Sequence, residues 1–470
     1  MESIPQIAGE LVEHLDHFND WEEAVNNLSQ RIAGEVGTMV MRAMDDALFE
    51  QKGKGLIVVG RRKRTITTRF GSLQIERRLY RDAEGNHRFL LDEAMGLEPA
   101  RTLTPSMRHL ANLLASHVPY RVAASIIRCF ITDGPSHATL HSEVGRTGEE
   151  KIADEEEKAR SLFEDGELPD SKMKKTPRLF IEADSTTVAL QRAKRKRAEL
   201  KLGVAYEGLE PSSGKALRAV GKTVQAGFAA TEEFWQAFSV SLASTYDLGG
   251  VGEVVLGGDG ASWVRGGSKL FPVKRFQLCR FHLKRALRTA LGPDHDKVRL
   301  AYKAACKGDH EGADGILAEA ESAATDERKE QIAGTRRYLA ANRGCLADWR
   351  TDEQREEGVR GLGAMEGNID KLLANRFKKR GMSWSVRGGD SMAKVIQLRQ
   401  NGELEGWVQG ARQRQDQDTL IAPAVEKLKK RLKEDPAGWL DAHMPALDGP
   451  HSDRPWVLML KEMARIENVA

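Results

Sequence analysis

The chain has 470 residues, 40% of them hydrophobic and 30% charged, with 72 basic against 69 acidic side chains and a formal net charge of +3. At roughly 150 residues per domain this length predicts about three domains, and the apolar content excludes a disordered or fibrous chain. Four cysteines without a C-x-x-C pair exclude a disulfide scaffold and a zinc ribbon or finger, and apolar runs such as Leu56–Val59 fall far short of the roughly 20 residues that span a bilayer.

The first residues are acidic and amphipathic, with no basic n-region or apolar h-region, so a soluble, cytoplasmic protein with no membrane partner is expected. Residues 1–50 read as a helical region in which Ile7, Leu11, Leu15 and Phe18 recur at three-to-four spacing. Residues 51–100 read as a basic, β-rich region: Ile66, Leu73 and Ile75 stand among Thr and Arg, with turn signals at Phe70-Gly71-Ser72 and Asp82–Gly85. Within it, Arg77 and Arg78 predict a basic sheet. Residues 101–150 read as helix, Gly-containing break at Thr132–Pro135, and a Ser-capped second helix over Ser136–Gly145. That is a helix-turn-helix layout, with His137, Thr139, His141 and Arg146 as candidates to face a major groove; an ordinary pair of packed helices is the competing reading. Residues 149–170, dominated by Glu and Asp, read as a solvated helix and linker.

Strand signals then cluster at Arg178–Asp184, Thr186–Leu190, Leu202–Tyr206 and Ala216–Ala229, followed by a Thr-led helix from Thr231. Two further strands, Glu253–Leu256 and Arg275–Cys279, precede a helix beginning near His282. This order predicts an α/β layer arrangement. Residues 291–360 read as a helical, charge-mixed insertion, and 361–392 as a long amphipathic helix interrupted at Gly381. Residues 401–470 read as polar and helical, anchored by Trp407, Trp439 and Trp456. Basic side chains are segregated: Arg192, Lys194, Arg195, Lys196 and Arg197 form one run, Arg376, Lys378, Lys379 and Arg380 another, and Lys274–Arg288 holds no acid. Such patches on a near-neutral chain point to a polyanion such as nucleic acid, against the plainer reading of solvated faces.

Three acids stand out by position. Asp184 ends an apolar strand, Asp259 follows a buried one inside Gly-Gly-Asp-Gly, and Glu366 lies near the start of a helix. Magnesium takes oxygen ligands and few carboxylates, and two such ions drive in-line displacement at phosphorus; acids at neighbouring strand ends plus one from an adjacent helix suit that geometry. The glycines around Asp259 would let a phosphate backbone approach, whereas a turn former at each Asp is the plainer alternative.

Several stretches resemble the ISLre-type bacterial insertion-sequence transposases, relatives of the Mutator superfamily: Ile181–Asp184 with Val188–Gln191, Tyr206–Gly208, Gly258–Val264, Phe281–Lys284, Gly363–Gly367 and Arg380–Ser385. With Arg78–Arg81 and Phe89–Glu93 the resemblance covers roughly residues 60–410. It implies a ribonuclease H-like DDE core over 175–290 and 361–400, with Asp184, Asp259 and Glu366 as the metal-binding catalytic triad. The cofactor would be Mg2+, with Mn2+ as a substitute, and the partners double-stranded DNA at transposon ends and target. A homo-oligomer and association with a prokaryotic nucleoid follow from the same resemblance. Cys279-Arg-Phe-His282 resembles the C-x-x-H motif of the Mutator group, where the ISLre-type pattern more often has Asp first. Two such residues do not complete a tetrahedral zinc site, so Cys279 reads as a packed strand-end cysteine and His282 as a contact to DNA or a scissile phosphate, with an assisting catalytic role the alternative. Trp384, set among basic residues, suits stacking on a base; Trp263 suits core packing. The implied function is metal-dependent cleavage and strand transfer of insertion-sequence ends, the alternatives being a catalytically inactive DNA-binding descendant or a ribonuclease H-like nuclease.

Overall fold

The computed structural model describes residues 18–410 apart from 171–172, 213–216, 272, 351, 358 and 361, together with 422–423, 425–426 and 429–430. The chain divides into two compact units: Met1–Ala115 with Tyr120–Leu140 and Glu405–Ala470, and Ser116–Pro119 with His141–Leu404. The expected apolar positions Ile7, Leu11 and Leu15, and the anchors Trp439 and Trp456, lie outside the described residues.

In the first unit, helix Phe18–Gln51 packs on an antiparallel hairpin of β1 (Ile57–Thr68) and β2 (Gly71–Arg81), extended by β3 (His87–Arg88). Gly71 turns the hairpin at φ +112°, a conformation closed to most L residues. Ile66, Leu73 and Ile75 alternate onto the face that meets Met44, Ala47 and Leu48 of the helix. The expected basic sheet is largely neutralised from within. Arg77 pairs with Asp92 at 2.7 Å and lies over the Phe89 ring, while Arg78 is held by Asp45 at 2.5 Å and Asp46 at 2.6 Å. Buried guanidinium groups need such partners. Arg61, Arg62, Lys63, Arg69 and Arg81 are the exposed cations of the hairpin.

Helices Pro105–His117 and Tyr120–Phe130 follow as expected, but the next helix does not stop at Gly145: it runs unbroken from His137 to Phe163. Its first turn lies in the first unit and the remainder in the second. His137, His141 and Arg146 are exposed and Thr139 is half-buried. The acidic stretch expected to be solvated is instead anchored. Glu155 is buried and accepts from Lys394 Nζ at 2.7 Å, Gln397 Nε2 at 2.6 Å and Gln225 Nε2 at 2.9 Å. This helix meets helix Val386–Gln400 at Gly148, where an added Cβ would fall on the backbone of Ser391. Gly148→Ala is therefore expected to destabilise the protein by about 1–3 kcal/mol or more, read as a lowered thermal midpoint; an unchanged midpoint would contradict the close crossing.

The second unit is built on a five-stranded mixed sheet of β4 (Arg178–Ala189), β5 (Arg197–Tyr206), β8 (Thr223–Gly227), β9 (Glu253–Gly258) and β10 (Val273–Leu278), in the order β10-β9-β4-β5-β8. Here β5 runs antiparallel to both of its neighbours, β4 and β8, whereas β9 and β10 run parallel to β4. The segment read as one strand over Ala216–Ala229 splits into β7 (Leu217–Val220) and β8; β7 pairs with β6 (Gly208–Pro211) as a separate ribbon. Helix Thr231–Ala243 covers the sheet through Phe234, Trp235, Phe238 and Leu242, which pack on Leu179, Ile181, Ala183 and Leu256. The outer edge of β8 is closed by side chains: Asp390, Gln397 and Asn401 accept from the backbone N–H of Phe228, Ala226 and Val224 at 3.0, 3.1 and 2.8 Å. An edge so covered cannot pair with another chain.

Helices Arg280–Leu291, His295–Cys306, His310–Ser322 and Asp326–Ala341 share a separate core of Leu283, Leu287, Val298, Leu317, Ile332 and Leu339. The helical insertion thus draws in the helix before it. The expected long helix over 361–392 is broken into helix Met365–Asn368, a π-turn Ile369–Ala374 and short turns to Gly381 before helix Val386–Gln400 begins. Positive φ at Gly363 and Gly381 interrupts the periodic pattern. Among the described residues no helix is long and apolar enough to cross a membrane.

Candidate active site

Three elements bring the predicted acids together. Asp184, expected at the end of a strand, sits instead in the middle of the central strand β4, which is hydrogen-bonded on both sides and continues to Ala189. Because Ala183 is in register with Gly258, Asp259 emerges from β9 beside it. The end of β10 is tied to the same point, Cys279 N donating to Gly258 O at 2.7 Å, so the following helix starts at the strand ends and carries His282 in its first turn. His282 lies between two of the acids, Nε2 3.9 Å from Asp184 Oδ2 and Nδ1 3.7 Å from Glu366 Oε1.

The electrostatics report the same crowding. Burial raises the Asp184 carboxyl to about 6, with Asp259 and Glu366 adding repulsion and His282 opposing it. Burial also raises Glu366, against the pull of His282 and Arg285. Asp184 Oδ1 accepts from Ser185 N at 2.7 Å, and Asp259 Oδ1 from Ala261 N at 2.9 Å. Glu366 Oε1 is buried with no hydrogen-bond partner. Oxygen donors that repel one another, one of them without a hydrogen-bond partner, are of the type a hard divalent cation takes. Because the raised Asp184 carboxyl favours its protonated form, it weakens the fold as pH rises from its ordinary 3.8 through about 6. Asp184→Asn is thus expected to stabilise the metal-free protein at neutral pH by on the order of 1–3 kcal/mol, and to match wild type near pH 4 or below. Thermal melts across pH test this; equal midpoints at neutral pH would refute it.

Two further residues hold the site, and neither stood out in the sequence. Glu182, two positions before Asp184 on the same strand, is buried; its Oε1 accepts from Tyr206 Oη at 2.5 Å and from the N–H groups of Gly363 and Ala364 at 3.1 and 2.8 Å. It thereby ties the segment that delivers Glu366 to the sheet. A Glu amid the apolar run of β4, in phase with Asp184, was the available signal. Tyr338, from the insertion, donates to Asp259 O at 2.9 Å.

The glycines around Asp259 serve the protein's own packing. A Cβ at Gly257 would lie 2.8 Å from Leu362, one at Gly258 2.5 Å from Val264, and one at Gly260, where φ is +88°, against Asn342. Trp263 is in the core, its carbonyl accepting from Trp235 Nε1. Trp384 is also buried: its Nε1 donates to Phe377 O, its ring lies 4.7 Å from Phe377, and the Arg376 guanidinium covers it at 4.8 Å. The sequence reading of Trp384 and Arg376 as DNA contacts is thereby corrected, because each is buried against the other. Arg192, Lys194, Arg195, Lys196 and Arg197 are exposed at the β4–β5 turn. Lys378 and Lys379 are exposed as well, with Lys378 Nζ 3.2 Å from Thr186 Oγ1 and Lys379 Nζ 3.8 Å from Asp370. Arg380 lies in the turn Lys379–Gly381.

Residues 12–414 match the model of an uncharacterised protein family, UPF0236. A UPF0236 protein of Caldanaerobacter subterraneus subsp. tengcongensis is 24% identical over 440 residues, covering 92% of this chain and 88% of the relative. One from Streptococcus gallolyticus is 24% identical over 412 residues, covering 84% and 86%. Another from the Caldanaerobacter strain, 25% identical over 384 residues and covering 80% and 77%, has a name that joins eleven gene designations. The family match spans most of the chain, sheet and acidic site included, and the chain belongs to the UPF0236 family.

Proposed function

We propose that this chain is a DDE transposase that binds the ends of its own insertion sequence, cleaves DNA in a magnesium-dependent reaction and transfers the strand to a target. The observation that carries this reading is the convergence of Asp184, Asp259 and Glu366 on a sheet of this topology. In chain order its strands lie 3-2-1-4-5, the first three antiparallel and the last two parallel to the first, with acids from the first strand, the end of the fourth and a later helix. This order and these strand directions support the reading of a ribonuclease H-like core. One relative's name joining eleven gene designations of one strain supports it further, since a mobile element accumulates copies within a genome.

Asp184, Asp259 and Glu366 would hold magnesium, or manganese in its place, and the bound ions would activate water or a 3′-hydroxyl and stabilise the leaving oxygen. His282, between the Asp184 and Glu366 carboxylates at 3.9 and 3.7 Å, would assist the chemistry. The exposed cations at 192–197, Lys378 and Lys379 supply charge for phosphates. The 101–150 region, whose exposed His137, His141 and Arg146 line one helix, is assigned to terminal-sequence recognition, and joining two ends calls for an oligomer.

The reading is tested in a bacterial host carrying the gene between its own flanking sequences on a plasmid. New chromosomal insertions are expected with wild type and none with Glu366→Gln. Specific binding of the flanks by the wild-type protein without any insertion would overturn it in favour of a binding-only descendant.

A further inference from the structure

The proposed chemistry gives the thiol of Cys279 no part, yet it lies in a mixed cluster of donors. Among the described residues, Cys279, His282 and Glu366 bring ligand atoms to within 4.8 Å of one another. We propose that these three side chains form a site for one thiophilic divalent cation, zinc, held through Cys279 Sγ, His282 Nδ1 and Glu366 Oε1.

Four observations carry this. Cys279 caps helix Arg280–Leu291 and His282 lies in its first turn, so the thiol and the imidazole arise from one rigid element. His282 Nδ1 and Glu366 Oε1 face each other at 3.7 Å, both buried and both without a hydrogen-bond partner. That separation is too long for a hydrogen bond and close to the roughly 3.3–3.6 Å that donors take around a tetrahedral zinc with bonds of about 2.0–2.3 Å. The other ring nitrogen, Nε2, points toward Asp184 Oδ2 at 3.9 Å; a carboxylate behind a ligating imidazole fixes its tautomer and raises its basicity. Finally, the set combines sulfur, nitrogen and oxygen, and a thiolate selects zinc over magnesium. Three protein ligands leave the fourth position of a tetrahedral ion open to water.

Glu366 belongs to both ligand sets, so zinc held on Oε1 leaves only Oε2 for the hard-cation site. This consequence rests on the transposase reading; the zinc site itself does not.

The test uses the full-length protein, stripped with chelator under reducing conditions and titrated with Co2+ as a spectroscopic stand-in, then with Zn2+. One equivalent of Co2+ is expected to give a sulfur-to-cobalt charge-transfer band and intense tetrahedral visible absorption, both abolished by Zn2+. Cys279→Ser is expected to abolish the band, while Cys306→Ser, Cys345→Ser and Asp259→Asn retain it. Asp184→Asn is expected to weaken binding by about 10- to 100-fold. No band from wild type, or a band that survives Cys279→Ser, would overturn the proposal. Because the readout needs neither DNA nor turnover, an inactive protein that still shows the band overturns only the transposase reading.

Discussion

Asp259→Asn is expected to abolish metal-dependent cleavage and joining while leaving the fold and the binding of DNA intact. Asparagine is nearly isosteric, and its carbonyl oxygen can still accept from Ala261 N as Asp259 Oδ1 does at 2.9 Å. The backbone anchor from Tyr338 to Asp259 O is also untouched. What is lost is one negative charge at the end of β9, beside a carboxyl already crowded by its neighbours. A metal ion contributes several kcal/mol of charge stabilisation to such displacements, so losing its ligand costs on the order of 10³-fold in rate, at about 1.4 kcal/mol per tenfold. Rates of cleavage on a labelled duplex, with melting curves and DNA-binding isotherms alongside, check this. Undiminished cleavage by a folded Asp259→Asn would remove Asp259 from the chemistry.

Glu182 gives the second large effect, of a different kind. One carboxylate oxygen takes three hydrogen bonds, two of them from the backbone that delivers Glu366. Glu182→Ala leaves the buried Tyr206 hydroxyl and two N–H groups without an acceptor and is expected to destabilise the protein by about 3–5 kcal/mol. Glu182→Gln keeps an acceptor but not the charge, and about 1–2 kcal/mol is expected. Its rate should fall by about 10²-fold through displacement of Glu366, since misplacements near 1 Å have effects of that size, with DNA affinity unchanged. Thermal melts and single-turnover rates separate the two effects; a Glu182→Gln variant with full activity would show that the tie does not position Glu366.

The parts of the fold legible in the sequence are those governed by local pattern. The apolar runs around Leu179, Val204 and Val254 mark β4, β5 and β9, and the helix read from Thr231 begins there, although Ala230 rather than Thr231 is its cap. Asp259 follows an apolar strand as the pattern has it, whereas Asp184, read as a strand end, lies in the middle of β4, because the polar residues after it stay in register with β5 as far as Ala189. What escaped depends on partners far along the chain. Glu155 reads as solvated until Lys394 and Gln397, more than two hundred positions later, bury it. Arg376 and Trp384 carry the composition of a DNA surface but cover one another inside the protein. Arg77 and Arg78 look like a basic face until Asp45, Asp46 and Asp92 neutralise them. Cys279 and His282 alone make an incomplete ligand set; Glu366, supplied from a distant segment, is the third member.

The most direct measurement is strand transfer in vitro. A labelled duplex ending in the element's terminal sequence, with a free 3′-hydroxyl, is incubated with supercoiled plasmid and Mg2+ alongside wild type or Asp259→Asn. Joined product from wild type and none from the variant is the expected result. Cleavage without joining would contradict it in favour of a nuclease, and specific end binding without cutting in either Mg2+ or Mn2+ in favour of a DNA-binding descendant.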